Sequence, residues 1–535
     1  MFSSLAFRHI TLRYISLALF AALGIFILVT FRQYGISNDE EVQHIYGRLL
    51  LDFYSSGFTD QDAFHYRNLY LYGGFFDLIA ALLEHATPIW VWDLRHLISA
   101  LFGLAGIVAS YKVAKVLGGE RAGLIVVVLL AITGAWSGAM FTHTKDVPFG
   151  TCMVWALYYT ILISKELPKP SLSLSIKLGI AIGCALGLRI GGVFSIFYLL
   201  LAICSAGWLA KDTLRQRFGF WWQSAIALVP AAGVAFALMA LFWPWGVMSP
   251  DHPLEAAKAF SHFAFNMLTV MDGEVMNIGK VPRDYLLSYL LVRLPEAFLL
   301  GLASILALSA IRFRKLNDHQ HPLFLAWSCV ILAAAFPLAF ILLDKPALYN
   351  GIRHFTFLIP PLAILAALGI HYTLDALKNH PKWRLGFIII SSILVLNTSV
   401  TLARLHPYEY VYYNEFAGDD VYADNDWEGD YWSSSLREAS EMLESSISEQ
   451  MPSKPFKVAV CAESIQGRAY LDHRFEVTTD WKSADFFISS TNMNCDKVLQ
   501  GKIIGTVERM GETLAVIKDR RALPPHLRMP RRAPK

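Results

Sequence analysis

Apolar stretches of roughly 17–22 residues recur from Tyr14 to about Ala403 and then cease. Each is long enough to cross about 30 Å of hydrocarbon as a helix. The pattern predicts about eleven spans, near 14–31, 94–113, 122–139, 148–163, 174–188, 193–210, 222–243, 294–311, 322–343, 354–374 and 385–403. Leu69–Glu84 is apolar but short, and Gly73, Gly74 and Asp77 interrupt it, so it is expected to lie in the interface. From His406 onward the pattern is that of a soluble domain. It predicts a helix over Ser434–Ser446 and strands at Lys457–Val460, Ala484–Ser489 and Thr513–Ile517. The expected architecture is an all-α polytopic membrane domain over 1–404, with an external first loop at about 33–93. A small α/β extracytoplasmic domain over 405–519 and a basic disordered tail over 520–535 follow.

Composition agrees with that division: 55% of residues are hydrophobic and 17% charged, where a soluble domain carries about a quarter. The net charge of +3 is nearly neutral and says nothing about nucleic acid, and no basic patch interleaved with aromatics is present, so no nucleic-acid partner is expected. The distribution of basic residues sets the orientation. With Arg8 and Arg13 inside, the even-numbered connections carry Lys112, Lys115 and Arg121; Lys165, Lys169 and Lys177; Lys211, Arg215 and Arg217; Arg312, Arg314 and Lys315; and Lys378, Lys382 and Arg384. Short connections on the other side carry one or two each, as the positive-inside rule demands. A crossing at Leu69–Glu84 would invert every later loop. The first long loop and everything after Ala403 are therefore expected outside. Tyr14–Phe31 reads as an anchor rather than a cleaved signal, because no small-residue cleavage site follows it. Of six cysteines, Cys152, Cys184, Cys204 and Cys329 fall in spans, while Cys461 and Cys495 share the outer domain, where pairing is left open. No Cys/His spacing suggests zinc.

Two acidic motifs stand at the outer ends of odd-numbered spans. Ile36-Ser37-Asn38-Asp39-Glu40-Glu41 lies directly beyond the first, and His143-Thr144-Lys145-Asp146-Val147-Pro148 precedes the fourth. Acids this close to hydrocarbon lose hydration and are costly unless partnered or used. Both also read as helix starts, with Asn38 or Asp146 at the cap, acids in the first turn, and Pro148 just inside. At matching depth the two motifs can meet across one cavity. Arg189, in a tight turn with Gly187, Gly191 and Gly192, and Arg353, ahead of Pro360-Pro361, lie on the same side. Each arginine either snorkels to the interface or grips a phosphate at two points. Carboxylates and arginines at one bilayer surface suit a lipid-linked phosphate substrate. The acidic run Asp419–Asp430 does not follow the EF-hand spacing and reads as a solvated loop.

These motifs, in this order, resemble the polytopic glycosyltransferases of the C-type fold, in the branch of the dolichyl-phosphate-mannose protein mannosyltransferases and the lipid A aminoarabinose transferase. Asp39-Glu40 matches the family's acidic motif in the first external loop, and Asp146 its second acid. Phe64–Tyr72 occupies the place of a proline- and tyrosine-rich segment, with Arg67-Asn68 where paired prolines are common. Similarity continues through Trp243-Pro244-Trp245, Pro282-Arg283-Asp284-Tyr285, Arg353 to Pro361, His406–Asn414 and Asp430-Tyr431-Trp432. The resemblance implies inverting transfer of a sugar from a polyprenyl-phosphate donor to a glycolipid, glycan or protein acceptor at the periplasmic face of a bacterial inner membrane. Asp39 is then expected to be the general base, with Glu40 and Asp146 orienting the acceptor or stabilising charge on the sugar. Arg353, Arg189 and Lys145 are expected to hold the departing phosphate, and His65, Tyr66, Tyr70, Asp430 and Tyr431 to position donor or acceptor. Asp39, Glu40 and Asp146 together offer oxygen ligands for Mg²⁺ or Mn²⁺, but members with monophosphate carriers generally work without metal, so no cofactor is expected. The rival reading is a transporter or flippase of lipid-linked glycans. Such proteins place polar groups near the bilayer midplane, often within inverted repeats, whereas the acids here cluster at one surface and no repeat is evident.

Overall fold

The computed structural model describes residues 2–261, 267–312, 321–344, 346, 348–418, 426–447 and 453–530. Among them, seven helices are long and apolar enough to cross a bilayer, or nine if each of two bent pairs is one crossing. The seven are Thr11–Thr30, Val91–Ala131, Asp146–Glu166, Ile190–Ala210, Leu323–Asp344, Arg353–Asn379 and Pro381–Leu405. One bent pair joins Leu214–Ala227 to Val229–Phe242 at 43°, and the other joins Tyr285–Arg293 to Glu296–Ala310 at 117°. Pro230 and Pro295 sit at the two bends, where the missing N–H breaks the helical ladder. The expected count of eleven adds two shorter segments: the half of Val91–Ala131 beyond Gly119, and Leu172–Leu186. Gly119 has φ +74°, which lets the chain turn between the second and third expected spans.

The third span departs from expectation. It is not one helix over 122–139; it stops at Ala131 and continues as two four-residue helices, Gly134–Ser137 and Ala139–Thr142. The cause lies far along the chain. A Cβ at Gly134 would collide with the Glu409 carbonyl, and one at Gly138 would stand 2.6 Å from the Tyr410 amide nitrogen. The backbone after the last span packs directly on this broken stretch.

The first loop holds the helix Glu40–Ser55 and, after two short turns, the ten-residue helix Phe75–Glu84. At about 15 Å the second is half the hydrocarbon thickness and does not cross. A buried ion pair fixes it to the following helix, with Arg95 Nη2 2.9 Å from Asp77 Oδ1 and both side chains almost wholly enclosed.

The C-terminal domain carries a five-stranded sheet. Its strands are β3 (Phe456–Cys461), β4 (Phe475–Val477), β5 (Phe486–Ser490), β6 (Lys502–Arg509) and β7 (Glu512–Asp519), numbered after a separate hairpin of β1 (Leu268–Met271) and β2 (Glu274–Asn277). The order is β4-β3-β5-β7-β6, with β3 parallel to β4 and β5, and β7 antiparallel to β5 and β6. The three expected strands are present, as is the helix, at Leu436–Ser446. Cys461 and Cys495 are bonded to each other. The link to the membrane helices is buried. Arg293 Nη1 donates to the carbonyls of Tyr410 (2.7 Å) and Tyr412 (3.0 Å), and Asn414 Nδ2 donates to those of Leu291 and Leu294.

Two expectations are corrected here. Arg520, placed at the start of a disordered tail, is fully buried and donates to the carbonyls of Gln500, Ala484 and Arg528. The acidic run is not wholly solvated, because Glu428 and Asp430 are buried. Arg314, Lys315, Asp419, Asp420, Asp424 and 531–535 lie outside the described residues.

The Asp77–Arg95 pair gives a direct test of this packing. Asp77→Ala leaves a buried guanidinium without its counter-charge, an expected cost of about 3–5 kcal/mol, seen as a lowered thermal midpoint in detergent. The double variant Asp77→Leu/Arg95→Met should recover most of the loss, since apolar groups of similar volume replace both charges. A single variant melting with the native protein would remove the pair as the lock.

Candidate active site

Four elements bring their polar ends together. Asp39 immediately precedes the helix Glu40–Ser55, Asp146 begins the helix Asp146–Glu166, Arg189 lies in the turn before Ile190–Gly192, and Arg353 opens the turn Arg353–Leu358. Asp146 is shared. Its Oδ1 pairs with Arg189 Nη2, and its Oδ2 accepts from Arg353 Nε at 3.3 Å. Arg353 Nη2 pairs with Asp39 Oδ2. The acids just beyond the first span and at the start of the fourth thus grip one guanidinium.

The two aspartates differ in exposure. Asp146 is 3% exposed and Asp39 38%, while Arg353 is 9% and Arg189 13%. Asp146 is an internal anchor, and Asp39 is the carboxylate that opens outward. Lys145 completes the cluster, its ammonium 4.1 Å from the Tyr72 ring centroid, with the Arg189 guanidinium 5.8 Å from the same ring. Burial pulls the Lys145 ammonium down to about 8, against the opposing pull of Asp77 and Asp39. Lys145, Arg189 and Arg353 against Asp39 and Asp146 leave one positive charge in excess at neutral pH. Such a centre is built to receive an anion.

Glu40 is not part of this array. It is fully buried, accepts from the Ser37 amide at 2.7 Å, and stands 3.2 Å from His96 Nε2. This is the helix-start role that the sequence left open, and it fixes the turn on which Asp39 stands. Thr144 Oγ1 donates to Gln43 Oε1 at 2.5 Å, which ties the second acidic motif to the same helix.

The remaining expected positions divide. His65 is exposed, Tyr66 packs with Arg67, and Tyr70 lies 4.9 Å from the Trp245 ring. Among the described residues none of the three has a hydrogen bond or ring contact with the cluster; from that segment it is Tyr72 that arrives there. The Asp430 carboxylate is consumed structurally. It accepts from the Ser434 amide (3.0 Å), the Ser435 amide (2.8 Å), the Ser435 hydroxyl (2.5 Å) and the Tyr410 hydroxyl, and so holds the turn that leads into Leu436–Ser446. Tyr431 does reach the site, its hydroxyl 2.7 Å from His143 Nε2.

Sequence reasoning missed His143, Trp432 and Tyr72 as site residues. Trp432 lies over Arg353, 3.9 Å from guanidinium carbon to ring centroid, and its indole N–H donates to His143 Nε2 at 2.8 Å. An indole nitrogen only donates, so His143 Nε2 is unprotonated and the ring is neutral. Burial enforces this by pulling His143 down to about 3. Each of these residues stood inside a quoted motif. Only contacts with distant parts of the chain, 289 residues apart for His143 and Trp432, distinguished them.

Residues 82–245 match the family model described as dolichyl-phosphate-mannose-protein mannosyltransferase. No curated protein matches the chain. Among solved structures, ArnT from Cupriavidus metallidurans bound to undecaprenyl phosphate is similar with a TM-score of 0.49 and 14% identity, over 94% of this chain and 97% of that one. AglB, an oligosaccharyltransferase from Archaeoglobus fulgidus in complex with an inhibitory peptide and a dolichol-phosphate, gives 0.46 and 13%, over 91% and 70%. The arabinofuranosyltransferase AftD from Mycobacteria gives 0.42 and 12%, over 94% and 41%. These three are likenesses of overall shape and assign no residue in this chain. Over residues 82–245, under a third of its length, the chain is thus similar to the dolichyl-phosphate-mannose-protein mannosyltransferase family.

Proposed function

We propose that the protein transfers a sugar from a polyprenyl-phosphate donor to an envelope acceptor, with inversion at the anomeric carbon, at the periplasmic face of a bacterial inner membrane. The observation carrying this reading is the shared Asp39–Arg353–Asp146–Arg189 array, one carboxylate open and the other closed. The outward orientation rests on the basic connections at the opposite ends of the spans. The acceptor is a glycolipid, glycan or protein hydroxyl or amine.

Asp39 uses Oδ2 on Arg353, and Oδ1 makes no hydrogen bond among the described residues. The acceptor donates its proton to Oδ1 as its heteroatom bonds to the anomeric carbon. The bond from that carbon to the phosphate oxygen breaks on the opposite face, and its electron pair leaves with the phosphate. Arg353 Nη1 makes no hydrogen bond among the described residues, and Arg189 Nε is buried without a partner. These donors, with Lys145, receive the phosphate oxygens. Preplaced charge of this kind is often the largest single contribution to catalysis. Each site carboxylate already has a guanidinium as its counter-ion, so the reading requires no divalent metal.

Three outcomes follow from these roles. Asp39→Asn should lower kcat by about 10²–10⁴-fold while leaving undecaprenyl phosphate binding unchanged or tighter, since the amide no longer competes for Arg353. Native-like turnover would remove Asp39 as the base. Lys145 is charged below about 8 and neutral above it, so undecaprenyl phosphate affinity should fall as pH rises through that value. Titration by Kd measurement should lose this inflection in Lys145→Met, and a persisting inflection would assign it elsewhere. Transfer should continue in EDTA; a loss restored by Mg²⁺ or Mn²⁺ would overturn the metal-free reading.

A further inference from the structure

Arg353 is held in its own plane by two contacts on one edge. Nε faces Asp146 and Nη2 faces Asp39, and these two nitrogens form one side of the guanidinium fork. Contacts along a single edge act as a hinge. They fix where that edge lies but leave the plane free to tilt about it, and Nη1, the nitrogen off the edge, swings through the widest arc. What lies on the face of the plane therefore decides where Nη1 points.

Trp432 lies on that face. Its ring centroid is 3.9 Å from the Arg353 central carbon, and its side chain is buried. The indole is itself oriented by its N–H bond to His143 Nε2 at 2.8 Å. The Tyr431 hydroxyl meets the same nitrogen at 2.7 Å, and Thr142 Oγ1 lies 3.2 Å from Nδ1. Trp432 and Tyr431 come from the segment after the last membrane helix, anchored by the bonds of Asp430 to the Ser434 and Ser435 amides and by the linker bound to Arg293. The charged array is otherwise supplied by the membrane domain alone.

We propose that Trp432 is a positioning residue for phosphate recognition: its indole face sets the tilt of the Arg353 guanidinium, so that Nη1 is aimed at the carrier phosphate and the C-terminal domain completes a site whose charges belong to the membrane domain. This rests on the reading of Arg353 as a phosphate ligand. His143, neutral by its bonding pattern, keeps the indole in register without adding charge. A cation–π contact removed from water is worth enough to matter at this scale.

The test uses the full chain in detergent, with undecaprenyl phosphate as the probe and its Kd as the readout, so that no transfer assay is needed. Trp432→Leu should weaken binding about tenfold, and Trp432→Phe, which keeps an aromatic face, should return to within about threefold of the native value. If the leucine protein does not fold, Trp432→Met fills more of the volume without a π face and should show the same loss. In an Arg353→Lys background, where no planar fork remains to be aimed, Trp432→Leu should cause no further loss. Equal losses in both backgrounds would show generic packing and overturn the proposal, as would an unchanged Kd in Trp432→Leu. Arg353→Ala separates the two levels. If it weakens binding while Trp432→Leu does not, the positioning role fails and the phosphate reading stands; if it leaves the Kd unchanged, both fall.

Discussion

The site depends on one buried carboxylate. Arg189 and Arg353 approach each other from different elements, and two guanidiniums in a poorly solvated region repel strongly unless a counter-charge lies between them. Asp146 supplies it, one oxygen to each. Its position at the first turn of Asp146–Glu166 adds the favourable end of the helix dipole. Without that bridge the turn at Arg189 and the turn at Arg353 have no reason to converge. Asp39 then joins as a second ligand to Arg353, and the first loop is drawn to the same end of the bundle.

The C-terminal domain is built into this arrangement and does not merely hang from the last helix. Gly134 and Gly138 break the third span so that the backbone of Glu409 and Tyr410 can lie against it. Arg293 satisfies two carbonyls of the same linker, and Glu428 accepts from Thr269 Oγ1 and the Val270 amide of the separate hairpin. Buried polar groups of this kind are tolerable only when partnered. Their pairing fixes where Tyr431 and Trp432 emerge, and that in turn fixes what lies over Arg353.

Much of this was legible in the chain because hydrocarbon imposes a simple rule. Apolar runs of sufficient length, and basic residues on alternate connections, located the helices and drew Asp39, Asp146, Arg189 and Arg353 to one end. What could not be read depended on distant partners. Gly134 and Gly138 are unremarkable within an apolar run, and the break they allow answers a contact from Glu409 and Tyr410 far along the chain. Asp430 had the look of a site acid, but its oxygens serve the Leu436–Ser446 helix start. Trp432 sat in a recognised motif, yet an aromatic beside the interface has a ready bland explanation until a guanidinium is found under it. Arg520, in a run of Arg and Pro, gave no sign of the carbonyls that bury it.

Asp39 and Asp146 began as equivalent signals, each an acid at the start of a helix beyond a membrane span. Environment separates them. Asp146 is closed in by two arginines, with both oxygens engaged, so its charge is already spent on holding the array together. Asp39 shares only one oxygen and remains 38% exposed. A general base needs an oxygen within reach of the proton it takes, and a structural counter-ion needs the reverse. The same residue type thus stands in opposite environments on one shared guanidinium, and in the proposed reaction that guanidinium couples the step at the acceptor to the step at the departing phosphate.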